Sequence, residues 1–225
     1  MITDFNEVVQ RRVNRRRFDI DKIPPKETIE QILKETIDIA PIKNEYYGFK
    51  LNIFGPDYAE EKKELALLTM TKRKWKWRNR GDQNEEEWYK FIEEKYDNEW
   101  NKPGGYQSFN HQVRAPWLIT MVENHQTWNP NGEQQSRQHT SYMAGVFGSM
   151  LSLVANKHEI DCSFCLCFDR HPDQTSRPNK ITSGYDWNED EYPMILSLIG
   201  LGHDLGGGHS NDKYKPMLDV ITEWN

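Results

Sequence analysis

Cysteine is scarce in this chain of 225 residues, and its three cysteines all lie between positions 162 and 167. An odd number of closely spaced cysteines forms no disulfide framework of the kind that stabilises small secreted domains. The first residues, Met1 to Asp4, lack the basic and apolar regions of a signal peptide. Together these two absences predict a cytoplasmic protein with reduced thiols.

Long apolar runs and nucleotide-binding fingerprints are missing as well. The longest apolar stretch, within residues 142–155, is interrupted by glycine and serine and is too short to span a bilayer. The glycine-rich stretch 203–208 lacks the Lys-Ser/Thr ending of a P-loop and does not match Gly-x-Gly-x-x-Gly. We therefore expect a flexible loop there, no membrane segment and no separate dinucleotide-binding domain.

The cysteines also lack a partner group with the spacing of a zinc site. On a strand, Cys162 and Cys165 would point to opposite faces, and Cys165 and Cys167 would stand too far apart for an easy bridge. We interpret them as small buried residues and expect no metal centre.

Positive charge is in deficit over the whole chain, with 29 basic against 35 acidic residues and a formal net charge of −6. This balance disfavours general nucleic-acid binding, which depends on counterion release by a basic surface. Arginine nevertheless occupies five of the seven positions from 11 to 17. Such a cluster is a solvated basic turn, a nucleic-acid patch or a site for a small anion. The acidic background favours the small anion, because arginine offers a rigid fork of donors to phosphate.

Apolar periodicity predicts a single domain, 1–225, with alternating helices and strands. A short amphipathic helix carrying Phe5, Val8 and Val9 on one side is expected before the arginines. Further helices are predicted at about 26–40, 60–68 (with Asp57 as N-cap), 84–100 and 139–157, and strands at 47–54, 115–122, 162–168 and 194–202. The last helix is apolar on most sides, which is typical of a central, dimer-forming helix. Residues 72–105 form a lid-like insertion whose aromatic stripe (Trp88, Ile92, Tyr96, Trp100) either packs on the core or lines a pocket.

The order of several landmarks resembles the nitroreductase family of FMN-dependent flavoenzymes. They are an Arg-Arg-Ser-x-Arg-x-Phe-like motif at 12–18, the turn 41–44, the long apolar helix, the small-residue strand 162–168, the strand 199–202 (Ile-Gly-Leu-Gly) and the Lys-x-Lys-Pro tail at 213–216. The resemblance implies an α+β nitroreductase-like fold, in which helices flank a central mixed or antiparallel sheet. It also implies an intertwined homodimer with two FMN sites at the interface.

The resemblance places the cofactor-binding residues of the first loop at Arg12, Val13, Asn14 and Arg16. Arg12 would be the phosphate fork. Asn14 stands where the family has serine, and its amide can still donate to a phosphate oxygen. Arg16 would lie near N1 and O2 of the flavin, where a fixed cation stabilises the negative charge that appears on reduction. Arg16 is therefore the residue closest to a catalytic one.

Further cofactor contacts are implied elsewhere in the chain. Asn44 matches the asparagine that faces the flavin or its ribityl chain. Leu166 or Cys167 matches the residue whose backbone N–H points at flavin N5, and Lys213 and Lys215 match the basic pair that reaches the phosphate.

The function implied is a ping-pong oxidoreductase. NAD(P)H would reduce FMN and leave, and an electron-poor small-molecule acceptor such as a nitroaromatic or a quinone would take two electrons in the same pocket. Alternatives within the fold are reductive dehalogenation or breakdown of the flavin. A catalytically silent flavin- or nucleotide-binding protein, a structural dimer without cofactor and a nucleic-acid-binding protein are alternatives of other classes.

Overall fold

The computed structural model describes residues 1–13, 15, 17–41, 47–68, 85–98, 111–123, 137–166 and 195–206. Its helices are α1 (Phe5–Arg11), α2 (Lys26–Ile39), α3 (Ala59–Leu68), α4 (Glu85–Asn98) and α5 (Arg137–Lys157). Its strands are β1 (Phe49–Phe54), β2 (Trp117–Glu123), β3 (Asp161–Cys165) and β4 (Ile195–Gly202), and a 3₁₀ turn (His111–Arg114) precedes β2. The predicted helices and strands within these ranges are confirmed, with ends that shift by a few residues.

The four described strands form one sheet in the order β1-β2-β4-β3, and every pairing among them is antiparallel. The central strands β2 and β4 are buried at every position, because helices cover both faces of the sheet. A sheet covered on both sides needs apolar residues throughout its central strands rather than in alternation. The expected α+β architecture is confirmed.

Side-chain alternation along the strands builds two apolar cores. Ile119 and Cys162 belong to the core beneath α2 and α5. Leu118 and Cys165 belong to the core on the opposite face, together with Leu65 of α3. The two cysteines therefore lie on opposite faces of β3, as predicted, and both are buried free thiols. Burial raises the pKa of the Cys162 thiol to about 12, which leaves it protonated and unreactive at neutral pH.

The short helix α1 is confirmed, and its three apolar residues differ in burial within the described part of the chain. Val8 is buried, whereas the side chains of Phe5 and Val9 are 70% and 40% exposed. Packing of α1 against α5 therefore buries only part of its apolar side.

The start of α3 also differs from the prediction. The first helical hydrogen bond runs from the Lys62 N–H to the Tyr58 carbonyl at 3.1 Å, so Tyr58 rather than Asp57 occupies the N-cap position. The Lys62 ammonium is buried and donates to the carbonyls of Ala115 and Pro116 at 3.0 and 2.8 Å. Burial lowers the pKa of Lys62 to about 8. These hydrogen bonds tie α3 to the segment that enters β2.

Helix α4 carries the part of the aromatic stripe that can be described. Tyr96 is buried, and its ring lies 4.9 Å from the guanidinium of Arg114, which also donates to the Tyr96 carbonyl at 2.6 Å. Packing on the core is thus the role of Tyr96. The side chains of Trp88, Ile92 and Trp100 lie outside the described part of the chain, so the lid-like insertion at 72–105 stays a prediction.

Helix α5 is central, as its composition predicted. It packs against α1, α2 and the sheet, and its buried side includes Met143, Phe147, Leu151 and Val154. Its other side is not covered by described residues, since Tyr142 is 65% exposed. None of the helices in the described ranges has the length and apolar character needed to cross a membrane.

A carboxylate joins α2 to the end of α5. Glu35 accepts hydrogen bonds from Lys157 Nζ at 2.9 Å and Gln31 Nε2 at 3.1 Å, and its Oε1 lies 3.0 Å from His158 Nε2. These bonds, with that of Lys157 the largest influence, lower the pKa of Glu35 to about 2. A carboxyl with a lowered pKa stabilises the folded state above its unfolded pKa, and this contribution disappears as the pH falls through the folded pKa.

Glu35→Gln is expected to lower the free energy of unfolding by about 1 kcal/mol at pH 7, since partial exposure screens the ion pairs. The difference from the wild type should shrink between about pH 4.5 and pH 2, where the wild-type carboxyl loses its advantage. Denaturant unfolding at several pH values measures this. Glu30→Gln is the control, because in the described part of the chain Glu30 makes only an exposed pair with Lys26 at 3.4 Å. A difference that is unchanged at pH 3 would contradict the assignment.

Candidate functional site

Of the arginine segment, residues 11–17, the structure describes 11–13, 15 and 17, which follow the end of α1 and approach the start of β3. Arg12 follows the last helical residue, and its N–H donates to the Val9 carbonyl at 3.2 Å. Three residues later, the Arg15 N–H donates to the Cys162 carbonyl at 3.3 Å. The segment is therefore attached to the strand at the edge of the described sheet.

Phe18 anchors the end of this segment. Its side chain is fully buried, and a Cβ at Gly200 or Gly202 would approach the ring to 2.8 or 3.0 Å. Glycine is thus required at both positions of β4, because only a residue without a side chain leaves room for the ring. The Phe18 ring thus packs directly on the two glycines of the Ile-Gly-Leu-Gly strand.

The residues that follow β4 are tied to the same segment. Phe18 and Asp204 form an antiparallel bridge. The Asp19 N–H donates to the His203 carbonyl at 2.7 Å, and the Leu205 N–H donates to the Arg17 carbonyl at 3.2 Å. The expectation of a flexible loop beginning at His203 is therefore wrong for residues 203–205, because backbone hydrogen bonds hold them. Gly206 ends this stretch with φ of +84°.

Among the described residues, Arg11 and Arg15 have carboxylate partners. Arg15 Nη1 lies 3.1 Å from Asp204 Oδ2, and Arg15 Nε lies 3.7 Å from Asp161 Oδ1. Arg11 Nη2 lies 3.8 Å from Asp161 Oδ1 and donates to the Glu159 carbonyl at 3.1 Å. The expectation that a bound anion must offset the positive charge of all five arginines is therefore corrected. Asp161 and Asp204 neutralise part of that charge.

Arg12 differs from these two arginines. It is exposed, and within the described residues no carboxylate lies within ion-pair distance of its guanidinium. Five residues further along the chain, the half-buried Arg17 has a buried Nε without a hydrogen-bond partner among the described residues. The exposed guanidinium of Arg12, without an ion-pair partner in the described part of the chain, fits a phosphate group, which accepts several charge-assisted hydrogen bonds. The donors present thus fit the anionic end of a nucleotide.

Burial also shapes the acidic side of the site. Desolvation raises the pKa of the Asp204 carboxyl, and it lowers the pKa of the neighbouring His203 imidazole. Asp204 Oδ1 is buried with no hydrogen-bond partner. The charge on Asp204 is therefore costly in isolation. Its ion pair with Arg15 contributes most to offsetting this cost, with smaller contributions from the Gly206 backbone and the charge of Arg17.

The other end of β3 opens onto an apolar cavity of about 260 Å³. Leu166 follows the strand directly, is 58% exposed and lines this cavity. Small residues of α5 leave the space, and none of the described lining residues is charged. The lining is formed by Met121, Ser141, Ala144, Gly145, Gly148, Ser149, Phe164, Leu166, Leu196 and Ser197. The volume exceeds the roughly 150 Å³ that accommodates a benzene ring.

The predicted site residues are thus placed only in part. Arg12 is exposed, Val13 is half-buried, and Leu166 lies at the far end of β3. The other predicted residues lie outside the described part of the chain: Asn14, Arg16, Asn44, Cys167, Lys213 and Lys215.

Sequence reasoning missed the two aspartates. A signal was present, because Asp161 is a charged residue at the start of a strand that is otherwise small or apolar. A carboxylate in that position requires a cationic partner when the strand is buried.

Neither a protein-family profile nor a curated protein sequence matches the chain. Solved structures do match over its whole length. A candidate NAD(P)H:FMN oxidoreductase from Staphylococcus epidermidis has a TM-score of 0.66 at 16% identity, covering 100% of this chain and 97% of its own. A candidate nitroreductase in complex with FMN from Exiguobacterium sibiricum has a TM-score of 0.65 at 16% identity, and the match covers 100% of this chain and 99% of that protein. An enone reductase of gut-bacterial fatty acid saturation has a TM-score of 0.64 at 12% identity, and the match covers 99% of this chain and 98% of that protein. At these identities the likeness establishes the fold.

Proposed function

We propose that this chain, which has the nitroreductase fold, is an FMN-dependent oxidoreductase. It transfers two electrons from NAD(P)H to an electron-poor small molecule by a ping-pong mechanism. The observation that carries the proposal is the arrangement about β3. The exposed Arg12, which has no carboxylate partner among the described residues, stands near one end, and a cavity whose described lining is uncharged opens at the other. Similar structures named as FMN complexes and NAD(P)H:FMN oxidoreductases support the choice of cofactor.

The spacing of the two ends supports a long ligand. Arg15 attaches the arginine segment at Cys162, and Leu166 lies four residues further, about 13 Å along an extended strand. A flavin mononucleotide has the matching shape, with a phosphate at one end and an apolar ring system at the other.

Each predicted site residue has a role in this proposal. The Arg12 guanidinium would bind the phosphate, and Arg16 would supply a fixed positive charge to the flavin ring. The backbone N–H of Leu166 or Cys167 would contact the ring at N5. The remaining contacts are assigned to Val13, Asn14, Asn44, Lys213 and Lys215.

When bound, FMN supplies the hydride and electron chemistry, and the protein supplies binding, orientation and water exclusion. The cavity beside Leu166 would hold the electron acceptor. Because its described lining is apolar and uncharged, an acceptor with an uncharged aromatic ring or a conjugated carbonyl fits it better than a charged one.

The proposal includes a cytoplasmic homodimer. Phe5 and Val9 of α1 and Tyr142 of α5 are exposed on two helices that pack together. A second copy covering these side chains would remove exposed apolar surface, which monomeric proteins rarely retain in large patches. Sedimentation velocity of the FMN-loaded protein measures this, and a monomer at micromolar concentration would contradict it.

The proposal predicts that the purified protein takes up FMN and turns over. After incubation with excess FMN and desalting, we expect a retained flavin absorbance spectrum. Mixing with NADH or NADPH should bleach it, and a quinone, a nitroaromatic or an enone should restore it. Steady NAD(P)H oxidation with one of these acceptors completes the test.

The outcomes separate the alternatives. Retained flavin that NAD(P)H never bleaches indicates a catalytically silent flavin-binding protein. If NAD(P)H reduces the flavin but none of these acceptors reoxidises it faster than oxygen in air does, the protein catalyses another reaction of this fold, such as reductive dehalogenation or flavin breakdown. A colourless protein after reconstitution contradicts the flavoenzyme assignment.

A further inference from the structure

We infer that Asp161 and Asp204 are positioning residues for phosphate recognition. By binding Arg11 and Arg15 within the chain, they hold the arginine segment in one conformation and leave Arg12 available to the ligand. This inference rests on the proposed function, because it concerns the phosphate of the proposed cofactor. It divides the arginine cluster into a structural pair and a binding group.

Asp161 is fixed from both sides. It is the first residue of β3 and pairs with Gly202 of β4, and its Oδ2 accepts a hydrogen bond from the Asp204 N–H at 2.9 Å. Its other oxygen, Oδ1, faces the guanidinium groups of Arg11 and Arg15. The residue is 7% exposed, so its direction is set by the sheet rather than by solvent.

Arg15 is consequently held at its backbone and at its side chain. Its N–H binds the Cys162 carbonyl, and its guanidinium lies between Asp161 and Asp204. Arg12 is only three residues away. The conformation in which Arg12 is presented therefore depends on the contacts of Arg15, because a segment this short has few ways to move independently of a fixed neighbour.

A simple charge effect and a positioning effect have opposite signs here. If the aspartates acted only through long-range electrostatics, removing one negative charge near a phosphate site would tighten FMN binding. If they position the segment, the same change weakens binding, since Arg15 is released and Arg12 loses its preferred conformation. The sign of the change in affinity thus decides between the two.

The test compares Asp204→Asn with Asp19→Asn in the full-length protein. Both changes remove one carboxylate close to the segment, but among the described residues Asp19 makes no ion pair and accepts only from the Asp21 N–H at 3.1 Å. Quenching of flavin fluorescence gives the dissociation constant for FMN and, separately, for riboflavin. We expect Asp204→Asn to weaken FMN binding at least about tenfold, in line with leaving a buried charged group unpaired, while riboflavin binding is unchanged. Asp19→Asn should change neither.

Arg15→Gln provides a second route to the same answer. It should weaken FMN binding to a similar extent, and adding Asp204→Asn should then have little further effect, because both remove one interaction. Denaturant unfolding of each apoprotein identifies variants that fail to fold. Unchanged or tighter FMN binding by a folded Asp204→Asn variant overturns the inference, and so does an equal loss of FMN and riboflavin. A wild-type protein that binds no FMN would instead overturn the proposed function.

Discussion

Arg12→Ala is expected to lose FMN during desalting, with a dissociation constant about 10- to 100-fold higher than that of the wild type. Arg12 is the arginine that is exposed and unpaired among the described residues, so its donors are available to a phosphate. A charge-assisted hydrogen bond contributes about 1.5–3 kcal/mol, and arginine can form two of them with one phosphate. Fluorescence titration with FMN measures the change.

The control for this variant is Lys26→Ala. Lys26 is an exposed cation that pairs with Glu30 at the start of α2. Lys26→Ala therefore removes one positive charge, as Arg12→Ala does, but leaves the arginine segment unchanged. Its FMN affinity should stay within about twofold of the wild type, in keeping with screening between distant exposed charges. Equal losses in both variants would point to a general electrostatic effect.

Arg16→Ala should behave differently from Arg12→Ala. A fixed cation beside the reduced ring stabilises negative charge more than it strengthens binding. We therefore expect the flavin reduction potential to fall while most FMN is retained. Arg12 and Arg16 variants that both keep full cofactor at an unchanged potential would contradict the roles assigned to the arginines.

Phe18→Ala is expected to lower the free energy of unfolding by about 3–5 kcal/mol, the usual cost of truncating a fully buried phenylalanine. The ring is 0% exposed, and the two glycines of β4 that face it carry no side chain that could fill the space. Urea unfolding of the apoprotein measures the effect. Ile39→Ala is the control, because Ile39 is 57% exposed at the end of α2 and its truncation should cost less than about 0.5 kcal/mol.

The same substitution should also affect the site. Phe18 connects the arginine segment to β4, so a cavity there loosens the segment next to its ion-paired residues. Phe18→Leu, which fills part of the space, should recover part of both the stability and the FMN affinity. If Phe18→Ala lost no more stability than Ile39→Ala, the anchoring role of this ring would be wrong.

Much of the architecture follows from the sequence by local rules. The apolar runs of β2 and β4 and the near-continuous apolar surface of α5 are periodic signals carried by adjacent residues. Opposite burial of Cys162 and Cys165 follows from strand geometry alone. The order of these elements, together with the arginine cluster, was enough to predict the fold that the similar structures share.

Other features depend on contacts between distant parts of the chain, and only the tertiary structure decided them. The partners of Arg11 and Arg15 lie about 150 to 190 residues away at Asp161 and Asp204, so no local pattern links them. The exposure of Phe5 likewise depends on which side of α1 meets α5. Charge pairing and burial are set by long-range packing, whereas helix and strand periodicity is set by the backbone, and this difference separates what the sequence determined from what the fold decided.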